Sequence, residues 1–561
     1  MPEIRLAQPA PPRPLAAANR LRFAATSDQL LLAAGVYWAL AVNRPFYAAA
    51  MRGQIGAEGW SWGFALALGV ALVALHVLLA GLVSTRRSVK PVLAVLALVA
   101  AVAMHFTQAY GTVLDPSMLR NALRSDSAEA RELLSWSLAL DLLLYAALPI
   151  ALLACAQVRR RPWRRALASR ALLLAAALAC LVGALWWQFQ PLAALMRNHK
   201  EVRYLITPAN AVWSLGQVLL ADARGAAQPR KAIGLDAAPG PSWALRSKPR
   251  VMVMVVGETV RAANWGLNGY ARQTTPRLAQ LPLLNFADTS ACGTSTEVSL
   301  PCMFAPVGRR NYDESRIRGS ESLLHVLARA GVAVQWRDNQ SGCKSVCEGL
   351  PTEVVSAATA PGLCQGDRCW DEGLLRGFDE RLQRARGTPG TQLIVLHMLG
   401  NHGPSYFRRY PPAFERFTPS CRSDDLGRCT PAEIVNAYDN AVLYTDHVLA
   451  TLIATLQAHA ASVDSAVLFV SDHGESLGEN GLFLHGVPHA IAPREQTQVP
   501  MVMWWSAGFG QAAGLDRACL QRRAAEPASH DNLFHTVLGL LDAKTALYEA
   551  QFDLSSACRR G

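Results

Sequence analysis

The sequence predicts an α-helical membrane domain followed by an α/β domain with a mostly parallel sheet. Up to about residue 190 the chain is rich in Ala, Leu and Val, with long runs free of charge, whereas after about residue 221 it has the mixed composition of a soluble domain. In this second part strand-like runs alternate with helical patterns, which is typical of a parallel sheet covered by helices. We therefore expect a five-helix membrane domain at 1–190, a bridging helix and linker at 191–249, and an α/β domain at 250–561.

Five apolar stretches in the first part have the length of about 20 residues that a bilayer core requires. They lie near 29–49, 63–83, 91–110, 136–157 and 170–188. Asn43, Arg44 and Pro45 interrupt the end of the first stretch. Arginine and lysine cluster in the N-terminal tail and after the second and fourth stretches, which predicts that these segments are cytoplasmic. Five spans then place the second domain on the opposite side of the membrane.

The net charge of +12 is explained by this distribution of basic residues, and we expect no nucleic-acid partner. The N-terminal tail has no cleavable-signal pattern, because Pro-rich and Arg-bearing residues precede the first span without a small-residue cleavage site. The protein is therefore expected to remain embedded in the bilayer through its own helices.

All but two of the 12 cysteines lie in the second part, eight of them in close pairs. An even set in an exported domain predicts disulfides, with the last two cysteines as a fifth pair. The pairs are Cys292/Cys302, Cys343/Cys347, Cys364/Cys369, Cys421/Cys429 and Cys519/Cys558. A zinc-binding cysteine cluster is the alternative. The irregular spacings and the predicted oxidising compartment favour disulfides.

Polar motifs end several strand-like runs, which we expect at 251–259, 291–302, 393–404 and 467–476. Glu258 ends VMVMVVGE, Thr296 lies in CGTST, and Asp472 and His473 follow VLFVS. Open α/β sheets place their active sites at the carboxyl ends of strands. Glu, Asp, His and a hydroxyl suit zinc better than manganese, and a metal-bound threonine becomes a nucleophile near neutral pH. These motifs predict one metal-dependent site that transfers phosphorus.

Four further residues are candidates for the same site. His397 lies within the third run, His402 in GNHGP and His485 in FLHG. These histidines would bind a second metal or contact phosphoryl oxygens, whereas the alternative is an ordinary surface or core histidine. Lys344 in GCKSVC would neutralise a phosphoryl oxygen, and its alternative is a solvated loop lysine.

Six longer motifs extend these patterns. They are GETVRAANWGLNGYARQTTPRL, CGTSTEVSLPCMF, DNQSGCK, HMLGNHGPSYFRRYP, SDHGESLGENGLFLHG and SHDNLFHTVLGLL. This set resembles the phosphoethanolamine transferase family, which includes lipid A-modifying enzymes and the mobile colistin-resistance enzymes, over essentially the whole chain. The resemblance implies an alkaline phosphatase/sulfatase-like fold in the second domain.

By motif, the resemblance implies one firmly bound zinc ion, with a second during turnover left open. The implied zinc ligands are Glu258, Thr296, Asp472 and His473, and Thr296 is the implied nucleophile. His402 and His485 match the family's substrate-side histidines, and Lys344 matches its phosphate-contacting lysine. One departure is His489 in LHGVPHA, at a position where an aromatic residue is expected.

The implied reaction moves phosphoethanolamine from phosphatidylethanolamine to Thr296 and then to a glycolipid acceptor. Lipid A phosphate is the first choice of acceptor, with polymyxin resistance as the consequence. A core sugar of the lipopolysaccharide and a periplasmic glucan stay open. We expect a monomer in the bacterial inner membrane, with its catalytic domain in the periplasm.

Three other protein classes compete with this interpretation. A synthase of the lipoteichoic-acid type would transfer glycerophosphate, but the cysteine pairing and the CGTST and GNHGP motifs favour the ethanolamine branch. A sulfatase needs a Cys-x-Pro-x-Arg segment, whereas Cys302 is followed by Met-Phe-Ala-Pro. A membrane sensor would not need an intact nucleophile and metal set.

Overall fold

The computed structural model describes residues 22–52, 55–56, 59–60, 62–125, 127–226, 229–244, 246–366, 368–386 and 390–560. The chain divides into two compact units. The first comprises residues 1–104 and 140–209, and the second residues 105–139 and 210–561. The segment 105–139 therefore belongs with the α/β part of the chain, although it lies between two apolar stretches. The domain limits at residues 190 and 249 stay a prediction.

The described helices are α1 (Ser27–Tyr37), α2 (Arg44–Ala50), α3 (Trp62–Val83), α4 (Val89–Tyr110), α5 (Pro116–Arg124), α6 (Ser127–Glu132), α7 (Trp136–Leu142), α8 (Leu148–Cys155), α9 (Trp163–Trp187), α10 (Phe189–Asn198), α11 (Ala209–Ala226), α12 (Thr296–Met303), α13 (Glu314–Arg318), α14 (Leu323–Arg329), α15 (Phe378–Ala385), α16 (Pro431–Ala458), α17 (Arg494–Thr497), α18 (Ala507–Ala512), α19 (Arg517–Arg523) and α20 (Leu533–Leu541). A π-helical turn joins α7 to α8, so that Trp136–Cys155 is one continuous helix.

Four helices in the first part of the described chain are long and apolar enough to cross a membrane. They are α3, α4, the joined Trp136–Cys155 helix and α9, and they match the second to fifth predicted spans. The first predicted span is not one helix. An apolar helix, Ser27–Val42, is followed by the separate helix α2, because Pro45 has no N–H and Asn43 breaks the pattern by donating its side-chain amide to Trp38 O.

The second unit contains an eight-stranded sheet among its described residues. Its strands are β1 (Arg250–Gly257), β2 (Leu284–Ser290), β3 (Ala333–Asp338), β4 (Thr352–Val354), β5 (Thr391–His397), β6 (Asp464–Ser471), β7 (Gln498–Trp505) and β8 (Ala528–Ser529). Their spatial order is β8-β2-β7-β6-β1-β5-β3-β4. Only β7 runs antiparallel to its neighbours, which confirms a mostly parallel sheet.

Five two-stranded ribbons complete the described strands. They pair Phe23–Ala25 with Ala156–Val158, Ile55–Gly56 with Gly59–Trp60, Ala238–Pro239 with Ala543–Lys544, Cys364–Gln365 with Arg368–Cys369, and Ser476–Leu477 with Phe483–Leu484.

The central strands are buried on both faces. All of β1 is buried, and its side chains alternate between two hydrophobic clusters, with Met252 and Met254 in one and Val253 and Val255 in the other. A strand covered by helices on both faces reads as a continuous apolar run, which is why the sequence identified it. Helix α16 begins where the sequence predicts, because Thr430 caps it and Pro431 occupies its first turn.

Two predicted elements differ in the structure. The run 291–302 is not a strand: it is a loop followed by α12, whose Leu300 and Met303 are buried at helical spacing together with Phe304, the residue that ends the helix. The helix predicted at 319–330 begins only at Leu323, because Ser322 caps it there.

Five disulfides link the cysteines of the second unit in the pairs that the sequence predicts: Cys292–Cys302, Cys343–Cys347, Cys364–Cys369, Cys421–Cys429 and Cys519–Cys558. Cys155 and Cys180 are free and lie in membrane helices. Four of the five disulfides close loops in which the cysteines are 4 to 10 positions apart, and because all ten residues are paired, the zinc-cysteine alternative is excluded for them.

The central strand β6 provides a test of the sheet core. Leu468 is fully buried, so Leu468→Ala should lower the free energy of unfolding by about 2–5 kcal/mol, since it removes apolar contacts and leaves a cavity. Denaturant unfolding followed by tryptophan fluorescence measures this change. The control Leu235→Ala, at a position that is 76% exposed, should change stability little. Equal effects at both positions would contradict the core assignment.

Candidate active site

Four of the predicted residues meet at one edge of the sheet. Glu258 directly follows β1, and Asp472 and His473 directly follow β6. Strands β1 and β6 are parallel neighbours with Gly257 opposite Ser471, so their carboxyl ends deliver these side chains together. Thr296 is the first residue of α12. All four residues are buried.

The donor atoms of this cluster are spaced as metal ligands are. Thr296 Oγ1 lies 2.9 Å from Glu258 Oε2 and 3.4 Å from His473 Nε2. His473 Nε2 lies 3.2 Å from Glu258 Oε1 and 3.4 Å from Asp472 Oδ2. Glu258, Asp472 and His473 each offer a ligand atom within 4.8 Å of the others. A cation with bonds of about 2.0–2.2 Å to oxygen and nitrogen fits among such donors.

The charges of these four residues also favour the binding of a cation. Burial and the neighbouring Glu258 raise the pKa of Asp472 to about 6. Burial alone would lower the pKa of His473, but Asp472 and Glu258 raise it to about 10. Asp472 Oδ2 is buried and accepts no hydrogen bond from the described residues. Two buried carboxylates facing one imidazole therefore leave negative charge that a metal ion would neutralise.

Several residues that the sequence interpretation left without a role hold this cluster in place. Gln340 Nε2 donates to Glu258 Oε2 at 3.0 Å. His530 accepts from Cys292 N at 3.1 Å and lies 2.9 Å from Ser471 O, so that it bridges the Thr296 loop and the end of β6. Ser299 Oγ donates to the carbonyl of Asp472. Gln340 and His530 lie within motifs that carried the resemblance, but their partners could be found only in the folded chain.

The two candidate histidines lie beside the cluster. The ring of His485 is 4.5 Å from that of His473 and 5.3 Å from that of His402, measured between centroids. Glu475 orients His485, since its two carboxylate oxygens lie 2.9 Å from His485 Nδ1 and 2.7 Å from Tyr406 Oη. Glu475 and Tyr406 were missed as site residues, although Glu475 directly follows the DHG motif.

The segment 105–139 contributes a carboxylate to this site. Glu129 Oε1 lies 3.1 Å from His402 Nε2. Burial alone would lower the pKa of His402, but Glu129 raises it to about 9, and His402 in turn helps to lower the pKa of Glu129 to about 2 against the effect of burial. An ion pair between Glu132 and Arg409 fixes the same segment. The pair keeps His402 protonated at neutral pH.

Three other residues singled out in the sequence make contacts that do not involve the four-residue cluster: His397, Lys344 and His489. His397 is buried with Nδ1 2.8 Å from Asp338 Oδ1, which raises its pKa although burial alone would lower it. Lys344 Nζ donates to Ser341 Oγ at 2.9 Å, in the loop that also carries Gln340. His489 is half-buried and lies 3.4 Å from the carbonyl of Ala291. The site roles expected for His397 and Lys344 stay predictions, and no role is assigned to His489.

Comparisons with known proteins agree with this architecture. A family model described as phosphoethanolamine transferase EptA/EptB matches residues 72–223, and one described as sulfatase matches residues 250–543. Phosphoethanolamine transferase EptA of Escherichia coli strain K12 is 38% identical over 480 residues, which cover 84% of this chain and 86% of that protein. Phosphatidylethanolamine transferase Mcr-1 of Escherichia coli is 38% identical over 490 residues, covering 86% and 88%.

A solved structure extends the likeness to both units. The integral membrane protein lipooligosaccharide phosphoethanolamine transferase A (EptA) from Neisseria meningitidis superposes with a TM-score of 0.91 at 36% identity, covering 96% of this chain and 100% of that one. The second unit therefore has the sulfatase-like fold of the alkaline phosphatase type. The chain belongs to the phosphoethanolamine transferase family and is an enzyme of that class.

The cluster at the sheet edge is expected to bind a divalent metal. Asp472→Asn should lower metal affinity by at least the roughly 10–100-fold that loss of an outer partner costs, because it removes a charged oxygen donor. Metal content and competition with a chelator measure this in the purified full-length protein. The control Asp288→Asn, at an exposed position, should keep wild-type affinity. A wild-type protein that binds no divalent metal would contradict the assignment.

The Glu129–His402 pair is expected to influence activity. Glu129→Gln removes the charge that raises the pKa of His402, so His402 should lose its proton at lower pH. We expect kcat/KM to fall about tenfold or more, and more strongly at alkaline pH, since a hydrogen bond to a charged group contributes about 1.5–3 kcal/mol. Rates across a pH series measure the effect, with the exposed Glu526→Gln as control. An unchanged profile would show that His402 does not depend on Glu129.

Proposed function

We propose that this enzyme transfers phosphoethanolamine from phosphatidylethanolamine to a phosphate group of lipid A, with Thr296 as the nucleophile. The observation that carries this proposal is the position of Thr296 Oγ1, within 3.4 Å of both Glu258 and His473 at the first turn of α12. Helix N-termini favour the negative charge of a phosphoryl group. The likeness to the EptA and Mcr enzymes supports phosphoethanolamine as the group that is transferred.

In the first half-reaction, Thr296 Oγ1 attacks the phosphorus of phosphatidylethanolamine. The bond between phosphorus and the diacylglycerol oxygen breaks, and the phosphoethanolamine group remains on Thr296. The Thr296 hydroxyl directs its proton towards Glu258, to which it donates a hydrogen bond. His402, kept protonated by Glu129, is the candidate that supplies a proton to the departing diacylglycerol oxygen.

Zinc is the metal proposed for the cluster of Glu258, Thr296, Asp472 and His473, because nitrogen and oxygen donors in a buried site with few ligands suit it. When bound, zinc would supply positive charge that favours the alkoxide form of the threonine and stabilises the charge of the reacting phosphoryl group. His402, which is held protonated, is proposed as a substrate contact, and His485 is proposed as a substrate contact or as a ligand of a second zinc during turnover.

In the second half-reaction, a phosphate oxygen of the acceptor attacks the phosphorus on Thr296. The bond between phosphorus and Thr296 Oγ1 breaks, and the proton held by Glu258 returns to Oγ1 to restore the free hydroxyl. Lys344 is proposed to contact the phosphoryl oxygens. The membrane helices bring the enzyme to two lipid substrates, and we propose an inner-membrane monomer whose catalytic domain faces the periplasm. Modified lipid A carries less net negative charge, so we expect resistance to polymyxin and other cationic peptides.

Mass spectrometry of lipid A tests this proposal in a Gram-negative host without its own transferase. We expect a phosphoethanolamine addition with the wild type, none with Thr296→Ala, and wild-type modification with the exposed control Thr352→Ala. The Thr296 peptide of the purified wild type should carry phosphoethanolamine after incubation with phosphatidylethanolamine alone. Modification of lipid A by Thr296→Ala would overturn the role of Thr296. An adduct on Thr296 without lipid A modification would direct the search to a core sugar or a periplasmic glucan.

A further inference from the structure

A large cavity lies beside the C-terminal end of α12, the helix that begins with Thr296. It has a volume of about 1020 Å³ and is lined by Pro301 of α12 and the following Phe304, by α5, α13 and the end of α11, and by the loop that carries Lys344. Thr296 does not line it. Ligand pockets of about 300–1,000 Å³ accept molecules of drug size, so this volume far exceeds one phosphoethanolamine group.

Cationic side chains from separate segments converge on this cavity. They are Arg120, Arg124, Arg230, Arg318 and Lys344. Glu297, the residue after the nucleophile, anchors two of them: its carboxylate binds Arg124, and its carboxylate and carbonyl accept from Arg318 at 2.9 and 2.6 Å. Two arginines that line the cavity are therefore bound by Glu297, the residue that follows Thr296.

The cavity is not simply cationic. Asp222, Glu314, Glu321 and Glu348 also line it, and each pairs with a neighbouring arginine. A site for a simple anion would not place these carboxylates on the wall. A ligand that carries both phosphate and hydroxyl groups explains the mixture, because guanidinium groups bind phosphate in a bidentate manner and carboxylates accept from hydroxyls.

The position of the cavity favours a lipid headgroup over a soluble ligand. Helix α11 exposes an apolar face with Trp213 65%, Leu219 59% and Leu220 56% exposed, and the next two residues, Ala221 and Asp222, line the cavity. An exposed apolar face of this kind suits the boundary of a bilayer. The cavity thus begins at the residues of α11 that directly follow its exposed apolar face.

We propose that this cavity binds the phosphorylated sugar headgroup of the glycolipid acceptor, with Arg124, Arg230 and Arg318 contacting the phosphate that does not react at Thr296. The inference rests on the proposed function, since it identifies where the second substrate is held. The phosphorylated sugar would lie between Lys344 and α5, past the C-terminal end of α12, while the donor phosphorus reacts at Thr296, the first residue of the same helix.

Lipid binding tests this proposal without requiring any reaction. Native mass spectrometry measures the Kd of lipid A carrying both phosphates for the full-length Thr296→Ala protein in detergent. We expect Arg124→Gln and Arg230→Gln, introduced together in this background, to raise that Kd about tenfold or more. Arg124→Lys, which keeps the charge, should lose less. The control Arg422→Gln removes an exposed arginine–carboxylate pair and should leave the Kd unchanged.

The comparison ligands distinguish the alternative sources of the same chemistry. Phosphate-free lipid A should bind both proteins equally weakly, and inorganic phosphate should not compete with lipid A. An unchanged Kd for lipid A in the double variant would overturn the proposal. Competition by inorganic phosphate would identify a simple anion site, and weakened binding of phosphatidylethanolamine alone would identify a donor site. Either result would also overturn it.

The inference and the proposed function can fail separately. If the double variant loses lipid A binding but the wild type never modifies lipid A, the cavity is a lipid site and the proposed reaction is wrong. If the wild type modifies lipid A and the double variant binds it normally, the reaction stands and the acceptor is held elsewhere. With the native Thr296, the double variant should still form the phosphoethanolamine adduct, which a misfolded protein would not.

Discussion

The second unit depends on one electrostatic constraint: two carboxylates, Glu258 and Asp472, are buried side by side at the ends of neighbouring parallel strands. Burying such charges is costly unless positive charge and hydrogen bonds compensate. His473 supplies one such charge, and the raised pKa of Asp472 shows that it does not suffice. The cluster is therefore suited to a cation, and β1, β6 and α12 bring its four candidate ligands together at one edge of the sheet.

The surroundings of this cluster are organised by carboxylates that orient other groups. Glu475 holds His485, Glu129 holds His402, and Asp338 holds His397. In each pair a buried imidazole has a carboxylate partner, which fixes the orientation of the ring. Glu129 comes from the segment 105–139, which belongs to the second unit although it precedes a membrane helix in the sequence, so a residue far from the α/β domain in sequence contributes to its site.

Helix α12 lies between the candidate metal site and the arginine-lined cavity. Its first residue, Thr296, donates a hydrogen bond to Glu258, whereas Glu297 binds Arg124 and Pro301 lines the cavity. A group-transfer enzyme with two lipid substrates would have to hold both near one phosphorus atom without mixing their sites. Two sites at the two ends of one short helix would satisfy this requirement.

The sequence by itself determined the features that have a local pattern. Apolar runs of bilayer length predicted four of the five membrane spans as continuous helices, and β1 and β6 were evident as buried strands that end in candidate metal ligands. Close spacing predicted four disulfides, and the remaining two cysteines predicted the fifth. Only the tertiary structure decided which distant residues meet. Three contacts depend on the packing of segments that are distant in the sequence: Glu129 with His402, Gln340 with Glu258, and Arg124 with Glu297. The spacing of residues within a segment cannot predict such long-range pairs. The same limit explains why the run around Thr296 was predicted as a strand: its apolar residues suit either structure until the neighbouring sheet fixes which face they bury.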